Sequence, residues 1–133
     1  MTWIVRFAAE FAKEFEALAT SVKIELLAQA KVVEQFGPQT GRPRVDTLKG
    51  SKHANMKELR FDADGGVWRV AFAFDPARQA ILLIAGDKSG GSEARFYRTL
   101  ITKADARFDL HLSSLPPLAP AVAKSAKPKM KRR

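Results

Sequence analysis

Apolar residues recur along the first third of the chain at two different spacings. Trp3, Val5 and Phe7 alternate with Ile4 and Arg6, the period-two pattern of a short strand. From Phe7 the spacing changes to three and four, through Phe11, Phe15, Leu18, Val22, Leu26, Ala30 and Val33, which is one stripe along an amphipathic helix. A single helix over residues 8–36 would be about 43 Å long at ~1.5 Å per residue, too long for a domain of this size. The pattern therefore predicts two helices folded as a hairpin, with the break and an N-cap at Thr20-Ser21. Gly37-Pro38 ends the second helix, because Gly accepts the left-handed C-cap geometry and Pro cannot continue a helix.

Residues 39–55 are rich in Gly, Pro and basic side chains and show no apolar period, which predicts a loop. Period-two runs then return. Leu59 and Phe61 share one face of a strand over 57–61, "ADGG" (63–66) is a hairpin turn, and Trp68, Val70, Phe72 and Phe74 share one face over 67–74. "DPARQ" (75–79) is a second turn, and "AILLIAG" (80–86) is apolar on both faces, as in a central strand. After a Gly-rich loop at 87–91, Ser92 caps a last helix with the buried stripe Phe96, Leu100, Ala104 and Phe108, and Glu93 sits near its positive end. The order strand, helix, helix, three antiparallel strands, helix predicts an α+β domain whose helices cover one side of a small sheet. Beyond Leu112 the chain reads "SSLPPLAPAVAKSAKPKMKRR", which predicts a domain at 1–112 and a disordered basic tail at 113–133.

Composition narrows the function classes. At 133 residues one hydrophobic core is expected, and the absence of cysteine excludes disulfides, thiolate metal sites and a Cys nucleophile. No apolar run approaches the ~20 residues that span a bilayer, and Arg6 and Glu10 interrupt the amino terminus too early for a signal peptide. The expectation is a cytoplasmic protein with no membrane partner. The net charge of +9 is uneven: +6 falls from Leu110 onward, residues 1–36 carry −1, and residues 42–60 carry +4 through Arg42, Arg44, Lys49, Lys52, Lys57 and Arg60 against Asp46 and Glu58. A local cationic surface concentrates polyanions, so nucleic acid is the leading partner class.

Strand alternation selects the candidates for chemistry. Arg69 projects from the face opposite Trp68 and Phe72, beside Val67, Ala71 and Ala73, whose small side chains leave room for a guanidinium to take a phosphate. The plainer alternative is a solvent-face arginine paired with Glu58 or Asp62. If the strands pair through the ADGG turn, Arg60 lies beside Arg69 across the ladder, and two like charges there repel unless an anion bridges them. Lys57 is separated from Arg60 by one step of alternation. Lys88 leaves the central strand in "GDKSGG", which lacks the glycine spacing of a nucleotide-binding P-loop; it is either a cation at the sheet end or a loop lysine paired with Asp87. Tyr97 is a core tyrosine or a proton carrier at the sheet edge. His53 and His111 lie 58 positions apart, which argues against zinc; each is a surface histidine or a general acid/base. Several cations with one or two proton carriers and no metal suit cleavage of RNA by its own 2′-hydroxyl.

Three stretches, "LKGSKHANMKELRF", "WRVAFAFDPARQAILLIAGDKSG" and "FYRTLITKADARFDLHL", resemble in order and spacing the phage-derived HigB-like toxins of the RelE/ParE superfamily, over about residues 2–112. The resemblance implies a RelE-like α+β fold, with an N-terminal strand and a three-strand meander packed against an N-terminal helical hairpin and a C-terminal helix. It also implies the toxin of a type II toxin–antitoxin pair, a ribosome-dependent mRNA endonuclease without cofactor, held in check by a helix-turn-helix, HigA-like antitoxin that alone brings it to DNA. By the same resemblance Arg69 grips the scissile phosphate, Lys57 and Arg60 are the basic residues of the preceding strand, and Lys88 is the lysine after the third strand, with Asp87 where relatives often carry another. His111 or Tyr97 handles a proton. Arg42, Arg44, Lys49, Lys52 and His53 would then contact RNA phosphates. The alternatives are a ParE-like protein that binds DNA gyrase and an inactive RNA-binding prophage remnant.

Overall fold

The computed structural model describes residues 2–116. Strand β1 (Ile4–Phe7) is followed by helices α1 (Ala9–Glu16) and α2 (Thr20–Phe36), a 3-10 turn (Gly37–Gln39), strands β2 (Val45–Thr47), β3 (Met56–Ala63), β4 (Gly66–Phe74) and β5 (Gln79–Asp87), and helix α3 (Glu93–Ser114). The five strands form one sheet in the order β1-β5-β4-β3-β2. The helical hairpin carries the chain from β1 at one edge of the sheet to β2 at the other; β1 lies parallel to β5, while the remaining pairs are antiparallel.

The β3–β4 hairpin closes through Asp64 and Gly65, both at positive φ (51° and 75°), the geometry of a two-residue turn that matches the strand twist. The β4–β5 turn is held from inside. Asp75 Oδ1 accepts hydrogen bonds from the amides of Ala77 and Gln79, both at 2.9 Å.

Two cores flank the sheet. On one face α1 and α2 bury Phe11, Phe15, Val22, Leu26 and Val33 against Leu59, Phe61, Val70, Phe72, Phe74 and Leu82. On the other, α3 buries Leu100, Ala104 and Phe108 against Met56, Ala71, Ala73, Ile81, Leu83 and Ile84. Helices therefore cover both faces, not one. The physical reason is β5, which is apolar on both sides and needs two covers. A register shift between Ala71 and Phe72 adds to this by leaving Leu83 and Ile84 both packed in the α3 core.

Two local expectations also change. Strand β2 lies within the stretch read as loop, paired to β3 as Val45↔Leu59, Asp46↔Glu58 and Thr47↔Lys57. The break between α1 and α2 falls where expected, but the N-cap of α2 is Ala19 and no side chain caps it. Ser92 does cap α3, accepting from the Arg95 amide at 3.2 Å. Helix α3 runs to Ser114, two residues past the expected domain edge, and the rest of the tail, 117–133, lies outside the described residues.

Candidate functional site

Register and alternation assemble the polar cluster. Arg60 pairs directly with Arg69 and Glu58 with Ala71, so Glu58, Arg60 and Arg69 share the sheet face that α3 covers. Ala71 is small, and Tyr97 from the start of α3 fills the space left. Its hydroxyl donates to Glu58 Oε1 at 2.7 Å and accepts from Arg69 Nε at 3.3 Å. Arg69 Nε also lies 3.6 Å from Glu58 Oε1, with only 7% of the arginine side chain and 9% of the glutamate side chain exposed. A second guanidinium nitrogen donates to the Trp68 carbonyl at 2.9 Å. Burial, and then the hydrogen bond to Glu58, push the Tyr97 phenol above its ordinary pKa, against the smaller pull of Arg69.

Lys88 reaches the same place from the end of β5. Its amide donates to the Val67 carbonyl at 2.7 Å, its ammonium lies 5.8 Å from the Tyr97 ring centroid, and Glu93 is 3.6 Å away. Asp87 is not its partner. It accepts from the Ser89 hydroxyl and amide and from the Val67 amide, in that order the causes that hold its carboxyl below the usual range. Arg60 stands half-buried, 3.9 Å from Asp46 Oδ2, which Arg42 also approaches at 3.6 Å. Arg69 and Tyr97 thus meet at Glu58 on the α3 face, with Lys88 beside the Tyr97 ring and Arg60 next to Arg69 in the strand register but turned to Asp46.

Residues 13–109 match the family of phage-derived Gp49-like proteins (DUF891). The chain belongs to that family. It is 45% identical over 103 residues to the Mycobacterium tuberculosis protein named "Putative toxin HigB2", and 44% identical over 100 residues to its namesake HigB3. These alignments cover 77% and 75% of this chain, and 51% and 85% of the relatives, so the chain spans about half the length of HigB2. Among solved structures, the free E. coli toxin RelE in a double arginine-to-alanine form superposes with a TM-score of 0.50 at 16% identity, over 77% of this chain and 97% of RelE. The RelE-like α+β fold expected from the resemblance is the fold observed.

Other residues singled out in this Gp49-like chain fall elsewhere. Lys57 pairs with Phe72, on the α1/α2 face, and its ammonium donates to Thr47 Oγ1 at 3.1 Å. His111 lies about 21 Å from Tyr97 along α3 at ~1.5 Å per residue, and its Nε2 is 2.7 Å from Asp75, a fully buried carboxylate at the other end of the sheet. Burial works to raise the Asp75 pKa, but hydrogen bonds from His111, Gln79 and Ala77 outweigh it and bring it below the ordinary value. Lys52 Nζ (2.5 Å) and His53 Nε2 (2.8 Å) both meet Asp109, while Ser51 Oγ meets Asp105 at 2.5 Å. The loop before β3 is therefore strapped to α3 rather than free. Arg44 donates to Gln29 of α2, and Lys49 is exposed.

The sequence pattern offered Glu58 only as an ion-pair partner. Its even spacing from Arg60 was the available signal that it shares the arginine face. Among the described residues, no three His, Asp or Glu side chains converge as metal ligands, and no helix is long and apolar enough to cross a membrane.

Proposed function

We propose that the chain is the toxin of a type II toxin–antitoxin pair and cleaves ribosome-bound mRNA without a metal. The observation that carries this reading is the Arg69–Tyr97–Glu58 cluster, flanked by Lys88 and by the register neighbour Arg60, in a Gp49-like chain related to proteins named as toxins. Attack by the RNA 2′-oxygen on the adjacent phosphorus forms one P–O bond and breaks the bond to the 5′-oxygen, leaving a 2′,3′-cyclic phosphate and a 5′-hydroxyl. Glu58 accepts the 2′-hydroxyl proton. The Tyr97 phenol returns one to the leaving oxygen. Arg69, Arg60 and Lys88 balance the charge that grows on the phosphate.

A phosphate reaches Arg69 only when the Tyr97–Glu58 contact opens, because both arginine and glutamate are buried in the free chain. Arg42 and Lys49 extend the grip on RNA, and the basic segment that follows α3 adds salt-sensitive affinity. The restraining partner is a helix-turn-helix antitoxin, through which any contact with DNA is made.

The test is inducible expression followed by mapping of mRNA 5′ ends. New ends within translated codons, lost in Arg69→Ala with the protein still folded, are the expected result. Growth arrest without new ends overturns the reading, and broken DNA with an SOS response would identify gyrase as the target instead. A second reading, an RNA-binding member that does not cleave, is favoured by one observation: the Arg69 charge is already neutralised by Glu58. Binding without new ends in the parent chain would select it.

A further inference from the structure

Of the basic side chains assigned to RNA, most already face a carboxylate: Arg42 and Arg60 share Asp46, and Lys52 and His53 share Asp109. Outside that set, Arg95 and Lys103 are among the basic side chains that do not. Arg95 and Lys103 stand two helical turns apart on α3, with Thr99 between them, and among the described residues neither forms an ion pair. Glu14, lowered chiefly by its hydrogen bond to Arg107, feels Lys103 only through space and as the weakest of its influences. Arg95, Thr99 and Lys103 follow one another at i, i+4 and i+8, a row about 12 Å long at ~1.5 Å per residue.

This row borders a groove of about 400 Å³ between the start of α3, the end of β5 and the Gly90–Gly91 loop. Its floor is apolar. Phe96 and Leu100 lie over Gly86, where a Cβ would stand 2.8 Å from the Phe96 ring, so only glycine lets that ring rest on the β5 backbone. Gly86 is also the direct β5 partner of Arg69, and the Phe96 and Tyr97 rings meet edge to face at 5.2 Å. The groove is therefore the next position along the surface from the Arg69–Tyr97 cluster.

We propose that this groove binds the single-stranded RNA segment next to the scissile linkage, one base lying on the Phe96–Leu100 floor and the flanking phosphates on Arg95 and Lys103. The inference rests on the endonuclease reading for its register relative to cleavage. Charge decides the occupant: an aromatic floor edged by unneutralised cations suits a single strand, whose bases offer apolar faces and whose backbone is anionic.

The experiment measures binding of the full chain to a short single-stranded RNA carrying 2′-O-methyl groups throughout, which removes the attacking hydroxyl so that affinity is read without cleavage. The double variant Arg95→Glu/Lys103→Glu is expected to bind about tenfold or more weakly at low salt, with the slope of log K against log salt reduced by about 1.4, or ~0.7 for each phosphate left without its cation. Lys13→Glu/Lys31→Glu changes the net charge equally on exposed positions of α1 and α2, and is expected to weaken binding far less. Phe96→Leu keeps the floor apolar but removes the ring, and should weaken binding about fivefold.

Equal weakening by the two double variants overturns the proposal, as does unchanged binding by the groove variant or failure of the parent chain to bind. Loss of antitoxin binding with RNA affinity intact overturns it too, and assigns the groove to an acidic protein segment. Expected binding with no cleavage of message by the parent would remove the endonuclease reading and leave the groove standing. Normal binding by the groove variant in a parent that cleaves would do the reverse.

Discussion

The two sides of β4 carry opposite chemistries. Toward α1 and α2 the strand presents Val70, Phe72 and Phe74, locked among Phe11, Phe15, Leu26 and Leu82. Toward α3 it presents Arg69, Ala71 and Ala73, with Glu58 and Tyr97 filling the room that the alanines leave. The first side is filled by large rings that leave one arrangement. The second holds an ion pair out of water, although removing two charges from solvent costs much of what their attraction returns. Stability alone gives little reason to keep Arg69 and Glu58 there, whereas a site for an anionic substrate gives one.

That contrast breaks most severely at Phe72, which is fully buried. Phe72→Ala is expected to cost ~3–5 kcal/mol through the burial removed and the cavity left behind. Urea unfolding should show a lower midpoint with little change in slope. On the other side, Glu58→Ala strands the Arg69 guanidinium without its counter-ion and should cost a comparable ~3–5 kcal/mol. Glu58→Leu combined with Arg69→Met should recover most of that loss while leaving the cell unharmed by induction. Equal instability of the single and double variants would show that the pair itself is not what the polar face depends on.

The same division explains what was legible in the amino-acid order. The helical hairpin, the β3–β4–β5 meander and α3 announce themselves because their apolar residues repeat over several turns or strand steps. Strand β2 has three residues, of which only Val45 is buried, so no period exists to be read. The placement of α3 was hidden because Ala71 and Ala73 read as open space around an arginine, when they are also the surface on which α3 packs. Within the site, pairing of Arg60 with Arg69 follows from the ADGG turn, and the separation of Lys57 from both follows from alternation alone. What no local pattern supplies is a carboxylate brought from another element: Asp46 to Arg60, Asp109 to His53, Asp75 to His111.

Tyr97→Phe sharpens the contrast by one atom. The ring stays, while the hydroxyl that joins Glu58 to Arg69 goes, at a cost of ~1 kcal/mol. Because the folded phenol titrates above its ordinary value near 10, its contribution to stability is complete below that pH and lost as pH rises through the higher folded pKa. Tyr97→Phe should therefore flatten the alkaline limb of a stability profile. Asp75 gives the opposite sign. Its folded pKa is depressed, so its contribution is present above the ordinary 3.8 and lost as pH falls through the lower folded value. Asp75→Asn should flatten the acid limb and leave the alkaline limb alone; a shift in both would mean general damage to the β4–β5 turn.

The smallest global effect is expected at Asp109, although it holds the most conspicuous strap. Lys52 and His53 both meet its carboxylate; the Lys52 hydrogen bond is the chief cause that holds its pKa below the ordinary value, burial opposes it next, and the His53 hydrogen bond then adds to the lowering. Exposed pairs of this kind contribute little to stability, because solvent screens them and their side chains lose freedom on pairing. The His53 ring still packs edge-on to Phe108 at 4.9 Å, and Asp105 still holds Ser51 and the Lys52 amide. Asp109→Asn should therefore leave the melting temperature nearly unchanged while raising hydrogen exchange at residues 51–54, since the loop loses its charged anchor but not its apolar one. If exchange there stayed as slow as in the parent chain, the His53–Phe108 contact rather than the carboxylate would be what ties this cationic loop to the polar face.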